Sequence, residues 1–152
     1  MGKVIFVHLT RFSDLGMRLV MRLGVADPSE RLTVSKLAAD IHASEAHVAK
    51  VVARLVELGV ARSVRGRSGG VYIREDAFPL GLGKLIRSLE GDSEMVDCFT
   101  EDPCPFIRHD CLLRIKLADA KEAFYQSLDQ ITLGELLADA QARYPAEFVL
   151  KE

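Results

Sequence analysis

Residues 33–59 read TVSKLAADIHASEAHVAKVVARLVELG, and this stretch decides the fold. Thr33 stands in front of a short apolar row, Val34, Leu37, Ala38 and Ile41, whose three- and four-residue spacing predicts a helix with Thr33 as its N-cap. Ser44 opens a second row, Val48, Val51, Val52, Leu55 and Leu58, and Gly59 stands at the C′ position, where a helix end favours a residue with positive φ. Only the tripeptide HAS separates the two. Helices joined by so short a turn have the form of a helix-turn-helix, whose second helix enters the major groove of DNA. The polar side of that second helix offers Ser44, Glu45, His47, Lys50 and Arg54, with its first turn nearest the base edges.

The flanks extend this unit. Downstream, VARSVRGRSGGVYIR (60–74) predicts two strands, Val60–Val64 and Val71–Arg74, joined by a tight loop rich in Gly and Arg. A hairpin in this position is a wing, and Arg65 and Arg67 flank Gly66 at its tip, where phosphates or the minor groove could receive them. Upstream, TRFSDLGMRLVMRLG (10–24) places Phe12, Leu15, Leu19, Val20 and Leu23 at helical spacing behind Thr10 or Ser13 as cap. After the wing, LGKLIRSLEG (82–91) adds a short helix with Leu82, Leu85, Ile86 and Leu89 on its buried face.

Residues 112–137, LLRIKLADAKEAFYQSLDQITLGELL, keep a helical period through Leu112, Ile115, Ala118, Ala123, Leu128 and Leu133, with Thr132 as a point of re-capping. A helix of about 20 residues spans about 30 Å, more than one small winged domain needs. Its surplus apolar face is expected to bury against a second copy, giving a homodimer suited to palindromic double-stranded DNA. The predicted architecture is mainly α with a small β-wing. A winged helix-turn-helix domain occupies 1–90, a cysteine-bearing loop 91–111, and a dimerisation helix with a C-terminal tail 112–152.

Composition agrees with a single soluble unit: 152 residues, 49% hydrophobic and 28% charged. The opening MGKVIFVHLTRF is too short in its apolar run for a signal sequence, and no stretch approaches the length of a membrane span, so a cytoplasmic protein is expected. Charge is unevenly spread. Residues 1–74 carry 12 Lys and Arg against 6 Asp and Glu, net +6, whereas residues 75–152 carry 8 against 16, net −8. A basic amino-terminal half suits phosphate neutralisation, and an acidic remainder limits indiscriminate adhesion to nucleic acid.

All three cysteines, Cys98, Cys104 and Cys111, fall within DCFTEDPCPFIRHDC (97–111), a stretch whose acidic residues and prolines predict a loop. An odd, clustered set in a reducing compartment argues for metal or cluster ligation, or for thiol chemistry. Zinc held by the three thiols and His109 is one form of this, and a redox-active Cys104 before Pro105 is another. A C-x-x-C pair, a βαβ pattern, a Ser/His/Asp arrangement and a phosphate loop are all absent, so no enzyme is expected. Asp14, read by itself, is an acid in the first turn of a helix, where it complements the macrodipole.

Taken together, LTRFSDLGMRLVMRL, VRGRSGGVYI, the three-cysteine stretch and FYQSLDQITLGELL resemble the NsrR-type nitric-oxide-sensing repressors, relatives of IscR among the Rrf-two winged-helix transcription factors. The resemblance covers nearly the whole chain. It implies a dimeric repressor in which Cys98, Cys104 and Cys111 hold a [4Fe–4S] cluster, with Asp14 of the partner subunit as an oxygen ligand to the fourth iron. Thiolates are the usual ligands of such clusters, and an oxygen ligand is the weaker hold. Nitric oxide would act on that cluster and lower DNA affinity. The spacing C-x5-C-x6-C is one residue longer in its second interval than related patterns, and Arg114 stands where IscR-like proteins place a histidine. A [2Fe–2S] site is the alternative, with His109 or one of Asp97, Glu101, Asp102 and Asp110 as the remaining ligand. The same fold could also serve an iron-responsive regulator or a thiol- or zinc-based redox sensor.

Overall fold

A computed structural model describes residues 9–91 and 111–144. In chain order the described elements are α1 (Arg11–Gly24), α2 (Val34–Asp40), α3 (Glu45–Glu57), β1 (Ala61–Val64), β2 (Gly70–Ile73), a short 3-10 turn at Glu75–Ala77, α4 (Leu82–Glu90), α5 (Leu112–Leu128) and α6 (Leu133–Arg143). The expected cysteine-bearing loop over 91–111 lies outside the described residues except for Gly91 and Cys111.

Each of the first three helices begins where the sequence places a cap. Thr10, Thr33 and Ser44 have extended backbones, and their side chains accept from the N–H groups of Ser13, Lys36 and His47. These bonds satisfy donors that a helix start otherwise leaves unpaired. α3 ends at Gly59, φ +71°, where the N–H of Val60 donates to the Leu55 carbonyl and that of Gly59 to Val56. This is a Schellman motif. Between α2 and α3, His42 takes φ +52°, which lets the chain turn sharply enough for the two helices to pack.

The core follows the apolar rows. Leu19 and Val20 of α1, Leu37 of α2, Val48, Val51 and Leu55 of α3, and Leu85 of α4 are fully buried around Leu32 and Val60. Each such side chain contributes about 1.5–3 kcal/mol by leaving water. β1 and β2 pair antiparallel, Ala61 with Ile73 through Val64 with Gly70. The N–H of Val71 also donates to the Leu32 carbonyl, which fastens the hairpin to the strand-like approach to α2.

The carboxy-terminal period divides into two helices instead of continuing as one. At the break, Asp129 turns back and its carboxylate accepts from the N–H of Lys84 at 2.9 Å, capping the start of α4. Leu82 donates to the Ile131 carbonyl and Leu133 to that of Leu80, so the chain between the helices pairs with the segment entering α4. Thr132 then caps α6 in a capping box with Glu135. α6 returns to the core, burying Leu133, Leu137 and Ala140, and Gln141 bonds the Gly24 carbonyl at the end of α1.

α5 behaves differently. Of its 17 residues only Tyr125 is buried, and Leu112, Leu113, Ile115 and Phe124 are 45–69% exposed. It packs on α4, where Arg87 lies over the Tyr125 ring and pairs with Glu122 at 2.6 Å.

Candidate DNA-binding surface and metal-ligand residues

The helix-turn-helix is cross-tied at its turn, since the Ser35 hydroxyl of α2 donates to Glu45 in the first turn of α3 at 2.7 Å. α3 buries Val48, Val51, Val52 and Leu55 and leaves Ser44, Glu45, His47 and Lys50 exposed on the other side. Three of the expected contact residues, Ser44, His47 and Lys50, are therefore exposed on the solvent side of α3. His47 and Lys50 also line a shallow cleft of about 130 Å³ with Phe12, Leu15 and Arg11 of α1. Arg11 carries no signal in its own segment, because only the packing of α1 on α3 brings it beside the other two.

Arg54 points elsewhere. One of its amino groups pairs with Glu57 at 3.1 Å and the other donates to the Ser88 carbonyl of α4 at 3.1 Å. It joins the recognition helix to the helix that precedes the cysteine stretch.

On the wing, Arg65 and Arg67 are exposed, and among the described residues neither has a hydrogen-bond or ion-pair partner. Both guanidiniums thus project from the hairpin with their donors unspent. Arg62 on β1 lies over the Tyr72 ring at 5.4 Å. Arg31, from the approach to α2, reaches across to the wing loop and donates to the carbonyls of Gly69 at 2.5 Å and Gly66 at 2.9 Å.

A buried ionic group joins α1 to α2 and to the segment between them. Arg22 of α1, 6% exposed, donates to Glu30 at 2.5 Å and to Asp40 of α2 at 2.8 Å, with Lys36 3.3 Å from Glu30. Burial works against the Arg22 charge, but Glu30 and Asp40 more than offset it and its pKa is raised. The hydrogen bond from Arg22 holds the Glu30 carboxyl below its ordinary range. α1 and α2 are clamped together by this group.

Of the expected metal ligands, Cys98 and Cys104 lie outside the described residues, as do His109, Asp97, Glu101, Asp102 and Asp110. Cys111 is the N-cap of α5, half-buried, with a free thiol that makes no capping bond. Asp14 stands in the first turn of α1, half-exposed and paired with Arg18 at 3.0 Å. It borders an open, mainly apolar groove of about 480 Å³ formed with Met17, Met21, Ile41 and Tyr144. Among the described residues no three His, Cys, Asp or Glu side chains are grouped as a metal site. The donor chemistry nonetheless suits an iron–sulfur cluster: three thiols in one segment, one of them unpaired at a helix start, and a half-exposed carboxylate, Asp14.

The fold and this surface define a winged helix-turn-helix DNA-binding protein. Residues 9–139 match the family described as Rrf2, iron-dependent transcriptional regulator. The chain belongs to that family and is a regulator of transcription, not an enzyme. It is 42% identical over 133 residues to the HTH-type transcriptional repressor NsrR of Streptomyces coelicolor, covering 87% of this chain and 89% of that one. To the regulator NsrR of Geobacillus kaustophilus it is 33% identical, covering 88% and 91%. Among solved structures, T. potens IscR superposes with a TM-score of 0.69 at 21% identity, over 90% of both chains. CymR of B. subtilis gives 0.65 at 20%, over 88% of this chain and 98% of that one, and both likenesses concern the fold. No described helix is long and apolar enough to cross a membrane.

Proposed function

We propose that the protein is a cytoplasmic, homodimeric repressor that binds a palindromic promoter and releases it when nitric oxide reacts at an iron–sulfur cluster. The observation that carries this is the 42% identity to an NsrR repressor over 87% of the chain, joined to the three cysteines that precede α5. Cys98, Cys104 and Cys111 would hold a [4Fe–4S] cluster, with Asp14 of the partner subunit completing the set. When bound, such a cluster supplies irons that react with nitric oxide.

The chain's own residues supply the rest. Asp14 spends one carboxylate oxygen, Oδ2, on Arg18, which leaves Oδ1 as the atom that would serve as a ligand while Arg18 orients the group. Glu90, at the end of α4, accepts from both the N–H and the hydroxyl of Thr10, at 2.7 and 3.1 Å. Thr10 caps α1, and the next residues, Arg11 and Phe12, border the cleft shared with His47 and Lys50. Changes at the start of the cysteine stretch and at Asp14 thus meet in the first turn of α1, beside the recognition helix. A coupling of about 1–3 kcal/mol between two such sites is enough to change DNA occupancy severalfold. On the DNA side, Ser44, His47 and Lys50 would face the major groove and Arg65 and Arg67 the adjoining backbone or minor groove, with Arg54 acting through α4.

Protein purified without oxygen and titrated with nitric oxide while DNA binding is followed tests this reading. Visible absorbance that changes in step with DNA release, and that is missing from Cys98→Ser, Cys104→Ser and Cys111→Ser variants, is the expected result. A colourless protein that cannot be reconstituted with iron and sulfide yet binds DNA would instead leave zinc or free-thiol sensing. The family description, iron-dependent, favours a second reading in which iron supply is the signal. Release of DNA by an iron chelator at unchanged nitric oxide would select it.

A further inference from the structure

The wing loop is held by a residue that belongs neither to the hairpin nor to the helix-turn-helix. Arg31 precedes Leu32, which is 2% exposed and whose carbonyl accepts from the Val71 N–H at 2.8 Å, so the backbone beneath Arg31 is rooted against β2. From there the guanidinium spans the loop, Nε donating to Gly69 at 2.5 Å and Nη2 to Gly66 at 2.9 Å. The Gly66 carbonyl also accepts from the Gly69 N–H at 3.0 Å. The arch so formed needs both glycines: Gly66 has φ +105°, and a Cβ on Gly69 would lie 2.2 Å from the Val64 carbonyl oxygen. With no side chains of their own to pack, these residues depend on outside donors for a fixed shape. A planar guanidinium can bridge two carbonyls at a set separation, which a lysine ammonium cannot reproduce.

We infer that Arg31 is a positioning residue for DNA binding. It braces the wing from outside, and because Arg65 and Arg67 flank Gly66, it sets the direction in which those two side chains leave the loop. Ordering the arch before DNA arrives removes an entropic cost from binding. The inference rests on the DNA-binding reading of the wing. It contrasts with a role in which Arg31 simply neutralises a phosphate, as any exposed arginine near DNA could.

The two roles separate experimentally with a duplex selected by the wild-type protein from a randomised pool. Affinity is measured against salt for wild type, Arg31→Lys and Arg31→Met, and amide exchange of residues 65–70 is followed in the free protein. Both variants should bind about tenfold more weakly, as expected for losing charge-assisted hydrogen bonds, with the salt slope unchanged. Exchange around Gly69 should quicken while the thermal midpoint stays put. Wild-type affinity in Arg31→Lys, or a slope reduced by about one in Arg31→Met, would mean direct phosphate contact and overturn the proposal. So would unchanged amide exchange. If Arg65→Ala and Arg67→Ala leave affinity untouched, the DNA-binding reading of the wing fails and this role for Arg31 with it, while the exchange data still report whether the brace exists.

Discussion

At the scale of single residues, buried charge is the most consequential feature. Arg22 carries two carboxylates of different segments, and replacing it with Met leaves both to Lys36 alone, 3.3 Å from Glu30 and 4.0 Å from Asp40. The expected loss is about 3 kcal/mol, because an under-compensated buried charge costs more than the intact pair contributes. Chemical denaturation of Arg22→Met checks it. The same group predicts an acid limb. Glu30 has a folded pKa below its ordinary value, so its contribution is present above the unfolded pKa and disappears as the pH falls through the folded one. Stability measured from neutral pH downward should fall below the normal carboxylate range, and Glu30→Gln should flatten that part of the curve. None of this was legible beforehand: Arg22 reads in sequence as one more polar position on an amphipathic helix, and its partners lie 8 and 18 residues away. Arg31 is hidden for the same reason, as its carbonyl partners lie 35 and 38 residues ahead.

Elements divide sharply by how local their causes are. The first three helices and the wing were readable because caps, apolar rows and turn glycines lie within each segment, and the structure places Thr10, Thr33, Ser44 and Gly59 in the expected roles. The division between α5 and α6 was only half readable. Thr132 signals a new start, but the end of α5 is imposed by Asp129 capping a distant helix. Thr132→Ala should cost about 1 kcal/mol and loosen α6 first, visible as faster exchange over its opening turn. α5 presents the opposite case, an element whose apolar side chains find little of the domain to cover. If that face meets a second copy, Ile115→Glu or Leu113→Glu should leave the thermal stability of the monomer fold nearly unchanged and convert the protein to a monomer in sedimentation. Of the candidate site, the exposure of Ser44, His47 and Lys50 was legible from spacing, whereas Arg54 also donates to the Ser88 carbonyl, a partner that no local pattern reveals.

For the molecule as a whole, the net charges of +6 and −8 in the two halves predict steep salt dependence despite an overall charge of −2. Double-stranded DNA should release counterions at a basic surface formed by the first 74 residues, so affinity should fall linearly on a log–log salt plot, with a slope that Arg67→Ala reduces by about one. The docking of α6 on α1 has a different consequence. Gln141 bonds to Gly24 across 117 residues, and Leu133 and Leu137 complete a core begun by the first helix. During synthesis, the helix-turn-helix and wing therefore leave the ribosome well before the side chains of α6 that close their core, and the nascent chain carries an open apolar face until α6 emerges. Closing that face waits on residues made more than a hundred positions after the end of α1, a long-range contact of the kind that slows folding.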